Sequence, residues 1–208
     1  MASKHDGRYL VGITGNIGSG KTTVSKLFEE FGAIRISADE LAKKYSDPGT
    51  PIKEELRQIF GDAIFDENGN PIKSKIAELA FTDKSKLEAM NALIHPLVRK
   101  DFRTLIEKSP EGSVIAWEVP LLFETDAHLL CDKTVCVYLD HKNAWSRVES
   151  RGGMKKEDYE HRSLAQLPMD KKKSLSDFSI PNDNSIEELR ILTKRVFDSI
   201  NDLAKGFK

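Results

Sequence analysis

Gly15-x-x-x-x-Gly20-Lys21-Thr22 is the spacing in this chain that most directly implies chemistry. Gly15, Gly18 and Gly20 allow backbone conformations closed to other residues and a close approach to a phosphate chain. Backbone N–H groups at a helix start, with the positive end of the helix dipole, then favour a polyanion. In this pattern the lysine, Lys21, reaches the β- and γ-phosphates and the Thr22 hydroxyl is a ligand of Mg²⁺. The run Gly15-Asn16-Ile17-Gly18-Ser19-Gly20-Lys21-Thr22-Thr23 therefore reads as a nucleotide phosphate site.

Three further groups stand where they could act on such a site. Asp39 follows a short strand, on the edge where parallel sheets bind ligands, and also suits the first turn of a helix. Glu118 ends an apolar strand and could support Mg²⁺ or its waters, or orient nearby loops. Arg147 and Arg151, four apart, project from one helix face, and Arg162 and Gln166 repeat that spacing on the next helix. With Gly152-Gly153 between them as a hinge, the two helices would make a lid that surrounds phosphates and excludes water. Salt bridges to nearby glutamates are the other reading of these arginines.

The elements that must position these groups follow from periodicity. Tyr9-Leu10-Val11-Gly12-Ile13 reads as a buried strand, and Val24, Leu27, Phe28 and Phe31 form one apolar helix face that stops near Gly32. Ala33–Ile36 is the next strand, so the order is βαβ with a right-handed crossover in a parallel sheet. Val114–Val119, Val135–Leu139 and Asp177–Ile180 complete five strands. Residues 40–108 carry helical patterns only, interrupted at Pro96, and are too long for a simple crossover. They read as an inserted substrate-binding subdomain. Asp66-Glu67-Asn68-Gly69-Asn70 resembles a calcium loop but has Pro71 and Ala77 where glycine and glutamate are needed, so it is a turn. Leu121-Leu122-Phe123 is either core or the wall of a ligand pocket. Ser185 with Glu188 forms a capping box ahead of a last amphipathic helix.

Composition bounds the partners. The 208 residues carry a formal net charge of -1, which advertises no nucleic acid and gives no sign of a membrane surface. Lys171-Lys172-Lys173 is a basic run suited to a solvated helix end. Two cysteines, Cys131 and Cys136, suit packing in a reducing compartment. No stretch is long and apolar enough for export or for spanning a bilayer, which points to the cytoplasm.

The motifs TGNIGSGKTT, SADELA, HPLVR, VPLLFE, RVESR with RSLAQLP, and SDFSIPN, in that order across residues 8–203, resemble the dephospho-coenzyme A kinase family. The resemblance implies an α/β protein with the three-layer α/β/α P-loop NTPase fold, a five-stranded parallel sheet, a helical coenzyme A subdomain and a lid. By residue number, the core would be 8–39, 110–146 and 174–203, the subdomain about 40–108 and the lid about 147–172. It implies ATP and Mg²⁺ as cofactors and phosphorylation of the ribose 3′-hydroxyl of dephospho-coenzyme A. Asp39 matches the acidic residue at that hydroxyl, as a base or an orienting group. His95, Pro96 and Arg99 match the acceptor side, and Glu118, Leu121, Leu122, Phe123, Arg151 and Gln166 would complete it. Lys21 and Arg147 would stabilise charge on the transferring group, and Asn182 matches a turn that contacts adenine. Three positions depart from the family pattern: Pro181 replaces an acidic residue before that asparagine, Asn184 replaces a glycine after it, and Glu118 stands where the strand-end carboxylate is often aspartate.

Two other functions are compatible with the loop. A nucleoside or nucleoside-monophosphate kinase would share core and lid, and a nucleotide-binding switch would share the loop alone. A GTPase needs an Asn-Lys-x-Asp base-reading motif, which this sequence lacks. The expected partner is a small molecule, handled by a monomer or weak homo-oligomer.

Overall fold

The computed structural model describes residues 5–152 and 154–206. In chain order the elements are β1 (Tyr9–Thr14), α1 (Lys21–Glu30), β2 (Ile34–Ser37), α2 (Ala38–Lys43), α3 (Lys53–Phe60), α4 (Lys73–Thr82), α5 (Lys84–Lys108), β3 (Val114–Glu118), β4 (Lys133–Tyr138), α6 (His141–Arg151), α7 (Lys156–Leu164), α8 (Met169–Leu175), β5 (Phe178–Pro181) and α9 (Ile186–Lys205). The chain divides into two compact units, one of residues up to Ser37 and from Ile106 onward, the other Ala38–Leu105.

The first unit holds a five-stranded sheet of order β2-β3-β1-β4-β5. Every pairing in it is parallel. Each residue of β1 is buried, as a central strand covered on both faces requires. Side chains of a strand alternate between faces. Tyr9, Val11 and Ile13 join Val24, Leu27 and Phe28 of α1 and Leu189, Phe197 and Ile200 of α9 in one core. Phe28 and Phe197 meet edge to face, with centroids 5.4 Å apart at 86°, the arrangement that aromatic quadrupoles favour. On the other face Gly12 lies against Leu122 and Cys131, where a Cβ would come 2.9 Å from Leu122 Cδ2 and 2.8 Å from Cys131 Sγ. Leu122 is thus core, as is Phe123, while Leu121 is 38% exposed. Both cysteines are buried. Burial pushes the Cys136 thiol up to about 11, so it packs as a neutral group.

Local signals set the element ends. Gly32 takes φ +108° just past α1, where its N–H and that of Ala33 reach back to Glu29 and Phe28. Asp140 caps α6 by accepting from Asn143 N at 2.9 Å, and Ser185 caps α9 by accepting from Glu188 N at 3.2 Å. Asp177 ties β5 to β4: it accepts from Thr134 N at 2.9 Å and from Lys133 Nζ at 2.8 Å. Burial raises the Asp177 carboxyl, but those bonds outweigh it and hold the group below the usual carboxylate range.

The second unit is helical around Tyr45, Ile52, Leu56, Phe60, Ile64, Ile76, Ala80 and Ile94. Asp66 builds the expected turn, its Oδ1 accepting from Asn68 N at 2.9 Å and Asn70 N at 2.7 Å. The break expected at Pro96 does not occur, because α5 runs through it as one helix. Proline removes one helical N–H and crowds the preceding turn. Here Ile94, Leu97 and Val98 on either side of it all pack into the same core, and that burial keeps the helix continuous. Among the described residues, no helix is long and apolar enough to cross a membrane.

Candidate functional site

The phosphate loop sits between β1 and α1, and three glycines carry its shape. Gly15, Gly18 and Gly20 have φ of +152°, +80° and +94°, values that L side chains rarely adopt. Each also abuts a neighbour where a Cβ would stand: the Val137 carbonyl for Gly15, the Ala144 carbonyl for Gly18 and the Asn182 amide for Gly20. The loop is therefore moulded against β4, α6 and the turn after β5.

Helix α1 starts with no side-chain cap and no acidic residue in its first turn. Its leading N–H groups and dipole are left for an anion. Asn16 Oδ1 and Ser19 Oγ are buried in the loop with no protein partner, and such groups concentrate where a protein is shaped for something it binds. Lys21 Nζ arches over the loop to the Asn16 carbonyl at 3.1 Å. This is the reach a phosphate-binding lysine needs.

Behind the loop lies a network the sequence did not disclose. Glu118 is 4% exposed. Its Oε1 accepts from Thr22 Oγ1 at 2.5 Å, and its Oε2 from Ser25 Oγ at 2.8 Å and Arg35 Nη2 at 2.9 Å. Arg35 Nε in turn donates to Ser25 Oγ at 2.9 Å. With its proton committed to Glu118, the Thr22 hydroxyl keeps its lone pairs for a cation. A single hydroxyl with a carboxylate behind it fits Mg²⁺, which takes few protein ligands and completes its shell with waters and substrate phosphates. Arg35 was discoverable only as a charged residue inside an otherwise apolar strand.

Three more expected residues gather here. Asn182, 6% exposed, donates from Nδ2 to the Ser19 carbonyl at 2.7 Å, and its own carbonyl accepts from Arg147 Nη2 at 2.7 Å. Its side chain is thus spent on the loop itself. Gln166 Oε1 accepts from Ile17 N at 3.3 Å. It does not share a helix with Arg162, as its spacing suggested: α7 ends at Leu164, and Pro168, two residues beyond Gln166, prevents the helix from continuing. Gly152 ends α6 at φ +68°, whereas Gly153 of the expected hinge lies outside the described residues. Arg151 is exposed at the end of α6. Trp145 of α6 and Tyr159 of α7 meet with tilted rings, centroids 5.1 Å apart at 52°.

Lys172 is a correction. It is not solvated but fully buried, with Nζ donating to the Pro120 carbonyl at 2.7 Å and paired to Glu124 Oε1 at 2.9 Å. Helix α8 packs against β4, and this turns the middle lysine of the run inward.

The other expected residues belong to the helical unit. Asp39 is exposed in the first turn of α2, two residues after Ser37 ends β2. His95, Pro96 and Arg99 are exposed on α5, with His95 and Arg99 one turn apart on the same side.

The glycine geometry sets an expectation for Gly20→Ala. Left-handed backbone costs a side-chain-bearing residue about 1–2 kcal/mol, and the new methyl would displace the Asn182 amide. ATP affinity is expected to fall roughly tenfold to a hundredfold, the worth of one or two charge-assisted hydrogen bonds. Calorimetric titration checks this, and unchanged affinity would show that the loop tolerates a different shape.

A family model described as Dephospho-CoA kinase (CoaE) matches residues 9–188. The dephospho-CoA kinase of Leptospira interrogans is 45% identical over 192 residues, covering 92% of this chain and 93% of that protein. The Aquifex aeolicus enzyme of the same name is 34% identical, covering 91% and 96%. Among solved structures, one from Thermus thermophilus superposes with a TM-score of 0.79 at 30% identity, covering 92% of this chain and 97% of its own. Shikimate kinase from Acinetobacter baumannii, at 14% identity and TM-score 0.52 over 98% and 97% of the chains, shares the P-loop kinase fold alone. With the loop, its lysine and the matched span of residues 9–188, the chain belongs to the dephospho-CoA kinase family.

Proposed function

We propose that this protein transfers the γ-phosphoryl group of ATP to the ribose 3′-hydroxyl of dephospho-coenzyme A, giving coenzyme A and ADP. The observation that carries this is the moulded phosphate loop in a chain matched to the family over residues 9–188. Its proposed setting is the cytoplasm, as a monomer or weak homo-oligomer.

Phosphoryl transfer needs little covalent work from a protein, so positioning and charge stabilisation dominate. The loop N–H groups and Lys21 hold the β- and γ-phosphates. Thr22, held by Glu118, is the residue for Mg²⁺, which when bound neutralises charge on the phosphate oxygens. Arg147 supplies a guanidinium to the transferring group, and the segment 147–172 acts as the lid. The helical unit 38–105 takes the acceptor, with His95, Pro96 and Arg99 among its contacts and Asp39 at the ribose hydroxyl. Asp39 either accepts the hydroxyl proton or orients the oxygen along the line of attack.

Mixing the protein with Mg-ATP and dephospho-coenzyme A, then locating the new phosphate by ³¹P NMR, tests this reading. Phosphate on the 3′-oxygen is expected, and transfer to AMP or free nucleosides in its place would overturn it. Asp39→Asn keeps the size of the side chain and removes the basic oxygen. Its turnover is expected to fall roughly 10²- to 10⁴-fold, the range of general-base contributions, with ATP affinity retained. Turnover within threefold of the parent would remove Asp39 from the chemistry.

A further inference from the structure

Lys172 is a buried charge in a position where an apolar side chain would serve packing as well. Helix α8 carries it to the underside of two segments that leave the sheet. Its ammonium meets the Pro120 carbonyl at 2.7 Å and Glu124 Oε1 at 2.9 Å. The same Oε1 accepts from Leu167 N at 2.7 Å. Pro120 O also accepts from Thr14 Oγ1 at 3.3 Å, at the last residue of β1 before the loop. One residue before Leu167, Gln166 meets Ile17 N of the loop. Two residues further on, Met169 packs its sulfur 3.8 Å from Cys136 Sγ on β4.

Residues 166–172 thus form a strap across the base of the phosphate loop, with Lys172 and Glu124 as its fastening. Taking an ammonium and a carboxylate out of water is costly, and a well-packed apolar pair of similar volume is commonly as stable or more so. What an ion pair supplies instead is a single arrangement: Glu124 must lie where it meets both the ammonium and the Leu167 amide. We infer that Lys172 and Glu124 are positioning residues for phosphoryl transfer, which set the returning segment of the lid, and through Gln166 the Ile17 amide, at the phosphate loop. The inference rests on the reading of this site as a kinase centre.

The test compares parent, Lys172→Met and the double variant Lys172→Met/Glu124→Leu. The double variant leaves no buried unpaired charge, so it separates loss of the fastening from loss of fold. Its thermal midpoint is expected to stay within a few degrees of the parent, while turnover at saturating ATP and acceptor falls at least tenfold and ATP affinity changes less than threefold. Amide hydrogen exchange supplies a readout independent of activity. Ile17 and Leu167 are expected to exchange at least tenfold faster in the double variant, with Val135 and Val137 of β4 unchanged. A double variant with parent stability and parent turnover overturns the inference, as does parent-like exchange at Ile17 and Leu167. Should neither variant fold, Gln166→Ala cuts the strap from the loop at a half-exposed residue. Parent-like turnover together with parent-like Ile17 exchange in that variant overturns the inference as well. If the parent transfers nothing to dephospho-coenzyme A, the substrate reading fails, and the exchange pattern still decides whether the strap exists.

Discussion

Arg147→Ala is expected to lower turnover on the order of 10³-fold, the scale of an arginine that meets charge on a transferring phosphoryl group. The structure places Arg147 one turn beyond Ala144, the residue that crowds Gly18 of the loop. One of its donors is anchored on the Asn182 carbonyl at 2.7 Å, and a guanidinium has four more N–H groups in a rigid fork. Because the anchor is the backbone of the same residue whose side chain holds Ser19, the guanidinium is registered to the loop through Asn182. ATP affinity should therefore change little, and the loss should appear in kcat. Arg147→Lys is expected to recover only a minor part, since an ammonium cannot hold the carbonyl and reach a phosphate oxygen in the same fork geometry. Single-turnover kinetics with a separate ATP titration checks both variants. A weakened ATP complex with unchanged turnover at saturation would assign Arg147 to binding alone.

Glu118→Ala carries the second large effect, felt in both stability and rate. The carboxylate is the common acceptor for Thr22, Ser25 and Arg35, and the Arg35 side chain is only 9% exposed. Breaking a buried pair by removing one partner costs about 3–5 kcal/mol. For a chain of this size that lowers the midpoint of thermal unfolding by on the order of 10 °C. Below that midpoint the Thr22 hydroxyl has lost the acceptor that orients it, and outer-shell losses of this kind cost roughly 10- to 100-fold in metal affinity or activity. Glu118→Gln keeps the volume and one acceptor, so it should recover most of the stability and less of the rate. Scanning calorimetry and a Mg²⁺ titration of turnover separate the two. A Glu118→Ala protein with parent stability would mean that this network does not hold the fold.

What the sequence made legible tracks how local each signal is. The loop and its flanks lie within one continuous stretch, and the structure builds strand, loop and helix as read. Strand-helix alternation gave five strands, each displaced by no more than two residues at either end, and a parallel sheet. The Arg35–Glu118–Ser25–Thr22 network was not legible, because it joins residues up to 96 apart and depends on β2 and β3 lying side by side, Ser37 in register with Glu118. Lys172 was misread for the same reason: three lysines in a row look alike until α8 is seen against β4. Pro96 misled in the opposite sense, since a local rule about proline was outweighed by burial on both sides of it. In the sequence Leu122 suits core and pocket wall alike, and only the absence of a side chain at Gly12, across the sheet face, shows why it fits as core.

The moulding of the phosphate loop also bears on how the chain is made. Residues 15–20 leave the ribosome more than a hundred residues ahead of the parts that hold them in shape, at Val137, Ala144 and Asn182. A growing chain halted before β5 would carry every loop residue and no Asn182 amide on the Ser19 carbonyl. Contacts so distant along the chain are closed late and slowly in folding. Competence to grip a triphosphate is therefore acquired only once β5 has been made and docks on its edge of the sheet.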